Sequence, residues 1–278
     1  MKKILLPTDF SENSWKAIEY ALALFENQKC LFHFLHVYTP VIYDVGYFEI
    51  GSAQIGMVDS LKKTAEKSMK NLMEKVATNY NNVNHTFSSS VSFNTITNEI
   101  NELYKASVID FVVMGTKGAS GLEKVLFGTN AVQVIKNAEC PVLAVPNGYV
   151  FNDLKEVLFP SDFEVNFQII DFQYFIDLVI GYKTKINLLH VSNDNMLSKF
   201  QESNKEKLER LFEKTDVEFT IKKNQSITDE ISNFQSIKKI DMLLMINNKK
   251  DLFEKLFLKS KVKQIGFQVK IPFLVIPS

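Results

Sequence analysis

Two cysteines, Cys30 and Cys140, are all that the 278 residues contain, and they form no Cys-x-x-Cys pair. That argues against a disulfide framework and fits a reducing compartment. An excess of charge of one sign is also missing, because Lys+Arg and Asp+Glu both number 32. No global field therefore draws the chain to nucleic acid or to an acidic membrane surface. No apolar run approaches the roughly 18–20 residues needed to cross a bilayer. The opening Met1-Lys-Lys-Ile-Leu-Leu-Pro-Thr-Asp9 sets two lysines before three apolar residues. A secretory core takes about 7–15 apolar residues, so a cytoplasmic protein is the expectation. The four histidines, His33, His36, His85 and His190, lack a spaced Cys/His or carboxylate set, and no metal held by protein side chains is expected. The Gly-Lys-Ser/Thr ending of a P-loop is absent, and so is a Gly-x-Gly-x-x-Gly after the first strand.

What is present is an ordinary globular balance, 46% hydrophobic and 23% charged, with length for two domains of about 140 residues each. One stretch stands out. Gly115-Thr-Lys-Gly118 is followed by nine residues and then Gly128-Thr129. The apolar run Phe111-Val-Val-Met114 precedes it, and the helix-like Asn130-Ala-Val-Gln-Val-Ile-Lys136 follows. Glycines allow positive φ and close backbone approach, and free N–H groups at a helix start favour phosphate oxygens. Three glycines alone suit an ordinary turn as well as an anion cradle. Thr129 can serve a phosphate, cap the following helix, or do both.

The chain also repeats itself. Lys3-Ile-Leu-Leu-Pro-Thr-Asp-Phe10 returns as Glu156-Val-Leu-Phe-Pro-Ser-Asp-Phe163, and Phe34-Leu-His-Val37 as Leu188-Leu-His-Val191. Val112-Val-Met114 returns as Leu243-Leu-Met245, and Cys140-Pro141 to Pro146 as Ile271-Pro272 to Pro277. Four matches in one order indicate a tandem duplication. The expected division is 1–146 and 154–278, joined by 147–153, whose Asn-Gly and Asn-Asp pairs are turn formers.

In the first copy apolar strands alternate with helical patterns. Strands are expected at Ile4–Leu6, Cys30–Val37, His85–Phe93, Phe111–Met114 and Val142–Val145. Ser11 can cap a first helix with Trp15, Ile18, Leu22 and Phe25 on one face. A loop from Tyr38 to about Gly56 leads to a helix over about 58–78, and a third helix covers Ile96–Ala106. Such alternation predicts a parallel sheet covered by helices on both faces. Ligands of these sheets bind beyond the carboxyl ends of the strands. Asp9, Val37 and the Gly115 loop all follow strand ends, which favours a site over a chance turn.

The Pro7-Thr-Asp-Phe-Ser11 opening, His36-Val37 and Met114-Gly-x-x-Gly118-x9-Gly128-Thr129 resemble the universal stress protein family, in the right order across residues 1–146. The resemblance implies an α/β fold of two tandem Rossmann-like domains, each a five-stranded parallel sheet of the adenine nucleotide alpha hydrolase-like type. It implies ATP, with or without Mg2+, and an adenine nucleotide as the small-molecule partner. It also implies pairing of domains through their last strands, which a tandem chain can supply as an intramolecular pseudo-dimer, with a further homodimer left open. Carried over, Pro7, Thr8 and Asp9 border adenine and ribose, with Asp9 accepting from the ribose hydroxyls, and Val37 contacts adenine. Met114 and Gly115 line the nucleoside side, while Gly118, Gly128, Thr129 and Asn130 surround the phosphates.

The second copy departs from this pattern. Ile246 stands for Gly115, Lys249 for Gly118 and Lys259 for Gly128, while Ser260 keeps the hydroxyl. Side chains there obstruct close approach and resist positive φ. The expected second copy keeps the fold and loses the nucleotide. Lys249, Lys250, Lys255, Lys259, Lys261 and Lys263 read as a solvated helix face. His36 and His190, at equivalent strand ends, read as structural hydrogen-bonding residues, and Cys140 as a core thiol. Three functions follow: a non-enzymatic ATP-binding stress or regulatory protein, a slow ATPase or nucleotide hydrolase, or an interaction module that binds no nucleotide.

Overall fold

The computed structural model describes residues 1–39, 52–117, 128–167, 171–192, 196–223, 226–247 and 270–278. The chain divides into two compact units, Met1–Cys140 and Pro141–Ser278.

Unit 1 begins with β1 (Lys2–Pro7), α1 (Glu12–Leu24), β2 (Cys30–Val37) and α2 (Ser52–Asn79). It continues with β3 (His85–Ser92), α3 (Ile96–Lys105), β4 (Phe111–Gly115) and α4 (Thr129–Asn137). Its strands lie in the order β3-β2-β1-β4, and the three pairs are parallel. Ile4, Leu5 and Leu6 are consecutive and fully buried. Successive strand residues face opposite sides, so both faces of the sheet are covered. Ser11 caps α1 by accepting from Ser14 N, and Trp15, Ile18, Leu22 and Phe25 are buried at helical spacing. Lys75 Nζ of α2 sits 3.4 Å from the centroid of the Trp15 ring, a cation–π contact that ties α2 to α1.

Helix α2 starts at Ser52, earlier than the expected start near 58. Gly56, expected in a loop, lies inside the helix with nothing within 4 Å of a Cβ built on it. A glycine at an open helical position costs only about 1 kcal/mol, too little to stop the helix. Of the expected Tyr38–Gly56 loop, residues 40–51 lie outside the described residues.

Unit 2 contains β5 (Val142–Val145), β6 (Glu156–Pro160), α5 (Gln173–Tyr182), β7 (Lys185–Ser192) and α6 (Lys199–Leu211). It closes with β8 (Asp216–Lys223), α7 (Ile227–Ile237), β9 (Met242–Asn247) and β10 (Phe273–Pro277). The order is β5-β10-β9-β6-β7-β8. Only β5–β10 is antiparallel, with Leu274 opposite Leu143, and the other pairs are parallel. The expected joint contains a turn: Tyr149 N donates to Pro146 O over 3.1 Å, and Gly148 takes φ 75. No helix among the described residues is long and apolar enough to cross a membrane.

Polar anchors recur in both units. Asp110 accepts from Lys3 N at 2.9 Å and returns its own N–H to Lys3 O at 2.8 Å. Asp241 accepts from Lys155 N at 2.8 Å and Glu156 N at 3.0 Å, and its N–H donates to Glu156 O at 2.8 Å. One carboxylate thus locks β4 beside β1, and its counterpart locks β9 beside β6.

Unit 2 also carries an ion cluster. Glu218 on β8 meets Lys185 at 3.0 Å and Lys238 at 2.8 Å. Hydrogen bonds from Lys238 and Lys185 hold the Glu218 carboxyl down at about 2, from an ordinary 4.5. A depressed folded-state value stabilises above the unfolded value and is lost as pH falls through the folded one. The melting temperature of Glu218→Gln should lie below that of the parent at neutral pH. The gap should close as pH falls from about 4.5 towards 2, and it should shrink in high salt because the groups are exposed. A gap that is constant across that window removes the charge cluster as its cause.

Candidate functional site

The site starts from a turn. Past β1, Thr8 N donates to Leu35 O over 2.8 Å, keeping the chain beside β2. Phe10 then takes φ 63, a left-handed conformation unusual for an aromatic residue. Thr8 Oγ1 accepts from Phe10 N at 3.0 Å, and Asp9 Oδ1 accepts from Ser11 N at 3.1 Å and from the Ser11 hydroxyl. His36 closes the turn from β2, with Nδ1 2.8 Å from Thr8 O and its ring 4.5 Å from that of Phe10. The chain reverses into α1, and Asp9 is left exposed at the strand end.

The second copy builds the same device. Phe163 has φ 58, Ser161 Oγ accepts from Phe163 N at 3.1 Å, and Asp162 Oδ1 accepts from Glu164 N at 3.1 Å. His190 Nδ1 lies 2.8 Å from Ser161 O, and its ring stacks on Phe163 at 5.3 Å. Asp162 therefore has a place in the fold without any ligand. The structural role expected for His36 and His190 is the one these hydrogen bonds describe.

At the end of β4, Gly115 has ordinary φ, and a Cβ there would lie 3.1 Å from Asn13 O. Close approach of α1's first turn, rather than positive φ, is what excludes a side chain. Gly128 N donates to Thr116 O over 2.7 Å, bringing the start of α4 back to β4. Gly128 is the N-cap of α4, at φ −65 and ψ 157, with no side-chain cap bond. Thr129 is therefore the first helical residue, not the cap that the sequence suggests. A glycine cap leaves the first-turn N–H groups without the acceptor that a serine or aspartate supplies.

These strand and helix ends enclose one cavity of about 340 Å³. Pro7, Thr8, Asp9, Val37, Met114, Gly115, Gly128, Thr129 and Asn130 all line it. Gly118, also expected at the site, lies outside the described residues. Ser14, Ile96, Thr116, Lys117 and Ala131 line the cavity too without having been expected there, and so does His36, which the sequence reads as structural. Ser14 was legible in principle, one helical turn past its own cap Ser11. Among the described lining residues Lys117 is the one lysine and Asp9 the one carboxylate. Among the described residues no group of three His, Cys, Asp or Glu could hold a metal ion. Burial raises the Cys30 thiol to about 11 and the Cys140 thiol to about 12, so both are inert core groups.

Among the described residues, the corresponding region of unit 2 retains a space of about 10 Å³, lined by Phe159, Pro160, Ser161, Asp162, Val165, Met245 and Ile246. The filling is aromatic and aliphatic. Phe167 occupies the repeat position of Ser14 and packs against Phe159, Phe163 and Phe172. Glu164 stands where Ser11 caps α1, and the described α-helix that follows, α5, begins at Gln173. Asn204, fully buried on α6, donates to Phe163 O at 2.9 Å. Lys249, Lys250, Lys255, Lys259, Ser260, Lys261 and Lys263 lie outside the described residues.

The Universal stress protein family profile matches residues 1–146. Among curated proteins, the universal stress protein MJ0531 of Methanocaldococcus jannaschii is 34% identical over 148 residues, covering 52% of this chain and 81% of that protein. The universal stress protein MJ0577 of the same organism is 27% identical over 152 residues, covering 52% of this chain and 94% of that protein. Among solved structures, a universal stress protein of Archaeoglobus fulgidus superposes with a TM-score of 0.68 at 20% identity. That match covers 98% of this chain and 97% of the other, and at this identity it speaks for the fold.

Equivalent positions 115 and 246 should both lose stability to an alanine, for opposite steric reasons. Gly115→Ala presses on the Asn13 carbonyl and should destabilise by about 1–3 kcal/mol through overpacking. Ile246→Ala empties a buried position and should cost about 2–4 kcal/mol through a cavity. Denaturant titration measures both, and an unchanged midpoint for Gly115→Ala removes the steric account of that glycine.

Proposed function

The chain belongs to the universal stress protein family, and from that premise we propose that its first half binds ATP as a non-enzymatic regulatory component. The observation that carries this reading is the uncapped start of α4, open to the cavity beside Gly115 and Lys117. N–H groups and a helix dipole at such an end suit phosphate oxygens. The cavity runs across the ends of β4, β1 and β2, neighbours in that order. Two strand spacings come to about 10 Å, room for a ribose between phosphates and base. Phosphates at Gly128, Thr129 and Asn130 put the ribose at Asp9 and the base at Val37. Gly118 belongs to the same proposed phosphate loop. Among the described lining residues Asp9 is the one carboxylate, so these residues would meet a Mg2+ ion through the phosphates.

Asp9 Oδ1 is engaged by Ser11, and the other titratable groups among the described lining residues are Lys117 and His36, whose Nδ1 serves Thr8 O. A hydrolase requires a positioned base within reach of the attacking water. That supports a binding role over turnover. The second half, proposed as residues 154–278, keeps the turn and sheet while its cleft is filled, which supports a degenerate domain.

Calorimetric titration of the full chain with ATP and magnesium should give one site per chain, from the first-copy cavity. Asp9→Asn keeps an acceptor for Ser11 while removing the charge, and should weaken ATP binding by about 1–2 kcal/mol. Two equivalent sites overturn the degeneracy of the second half. No heat at millimolar ATP overturns the nucleotide reading and favours an interaction module. Hydrolysis above background that Asp9→Ala abolishes favours the ATPase.

A further inference from the structure

The outer strands of the two units are protected differently. β8, which ends the strand order of unit 2, carries Asp216, Glu218, Lys222 and Lys223. Charge is a common guard for an unpaired sheet edge. β3, which ends the strand order of unit 1, has no such guard: from Val76 to Asn98 there is no Lys, Arg, Asp or Glu. It also lacks proline, and its register with β2 runs one to one from His85 opposite Cys30 to Ser92 opposite Val37. No bulge turns this edge away.

The ladder fixes which groups β3 leaves open. Cys30 N donates to Asn84 O and Tyr38 N to Ser92 O, both over 3.0 Å. Even-numbered residues of β3 therefore turn their N–H and C=O groups to β2, and odd-numbered residues turn theirs outward. Among the described residues nothing bonds the outward groups of Phe87, Ser89 and Val91. Ser89 is exposed, and Phe87 and Val91 are only half-buried.

This edge is complementary to itself. About Ser89 the strand reads Thr86-Phe-Ser-Ser-Ser-Val-Ser92, with matching residue types at equal distances on either side. A second copy laid antiparallel about a twofold through Ser89 sets Ser89 opposite its own copy and Phe87 opposite Val91. Each such pair exchanges both main-chain bonds. Phe87 against Val91 is an aromatic–β-branched pair, a kind that stabilises antiparallel strands. On the other face Ser88 meets Ser90 and Thr86 meets Ser92, all small and uncharged. Their hydroxyls are already engaged within unit 1. Ser88 and Ser90 Oγ lie 2.9 and 2.7 Å from the ring nitrogens of His33, Ser92 Oγ donates to Glu99 at 2.7 Å, and Thr86 Oγ1 donates to Cys30 O at 3.3 Å. Pairing therefore opposes no like charges and orphans none of these hydroxyls.

We propose that the outer edge of β3 is a docking surface for a second copy of this chain, joined antiparallel with Ser89 on the twofold axis. The interface is one strand wide and belongs to the small, transient class, so the homodimer forms as concentration rises.

Sedimentation velocity of the full chain, in a concentration series up to about 1 mM, reads the association. The mass should climb from the 31.9 kDa of one chain towards twice that. Ser89→Lys sets like charges across the axis from an exposed position. It should weaken association at least about tenfold and leave the melting temperature of the dilute chain unchanged. Two cysteine variants then fix the register and decide the matter even if Ser89→Lys fails to fold. Ser89→Cys should cross-link under mild oxidation, with its Cα atoms about 5.5 Å apart. Thr86→Cys is exposed too, but its mate lies about 20 Å away and it should not cross-link. Cys30 and Cys140 are buried and do not compete. A chain that stays monomeric throughout the series overturns the proposal. So does association that Ser89→Lys leaves intact, or equal cross-linking of the two cysteine variants.

Discussion

A phenylalanine held at positive φ just past the central strand is the constraint around which each unit is organised. Left-handed backbone costs a non-glycine residue about 1 kcal/mol or more. At Phe10 and Phe163 the conformation persists because three neighbours oppose its relaxation: a hydroxyl on the backbone N–H, an aspartate on the residue that follows, and a histidine on the carbonyl two residues before. The Pro-Thr/Ser-Asp-Phe segment is thus a chain-reversal device first. Its aspartate and histidine reach the end of the sheet because the turn requires them there, and a ligand site can be built on what they leave unused.

The two copies diverge by volume rather than by scaffold. The turn, the Asp110/Asp241 anchors and the buried strands recur, whereas small residues around the cleft give way to large ones: Gly115 to Ile246, Ser14 to Phe167. Seven phenylalanines, Phe159, Phe163, Phe167, Phe172, Phe175, Phe212 and Phe219, form one chain of ring contacts in unit 2. Space that is cavity in the first copy is hydrophobic core in the second, and burial of that kind stabilises by about 25 cal/mol per Å².

Much of the fold was legible because buried parallel strands leave unbroken apolar runs. Cys30–Val37 and Val142–Val145 fall where those runs do. The cavity lining was legible for the same reason, since strand ends predict which residues converge. What stayed hidden has physical causes. Gly56 punctuates the sequence but not an open helix, and Gly128 rather than Thr129 ends up as the cap. Neither the left-handed Phe10 nor the contact between Gly115 and Asn13 follows from residue type. The first depends on His36 meeting Thr8 O from β2 as well as on local bonds, and the second on the approach of α1 to β4.

Trp15 is the one tryptophan of the chain. It adjoins Ser14 of the cavity lining, lies almost wholly buried on α1, and carries Lys75 over its ring. The molecule therefore has a built-in optical label with an address. Emission excited selectively in tryptophan originates from unit 1, while unit 2 is dark. A cation held against the indole makes that emission sensitive to any shift of α2 against α1. The two halves of a duplicated chain, alike in backbone, can thus be watched separately without attaching a dye.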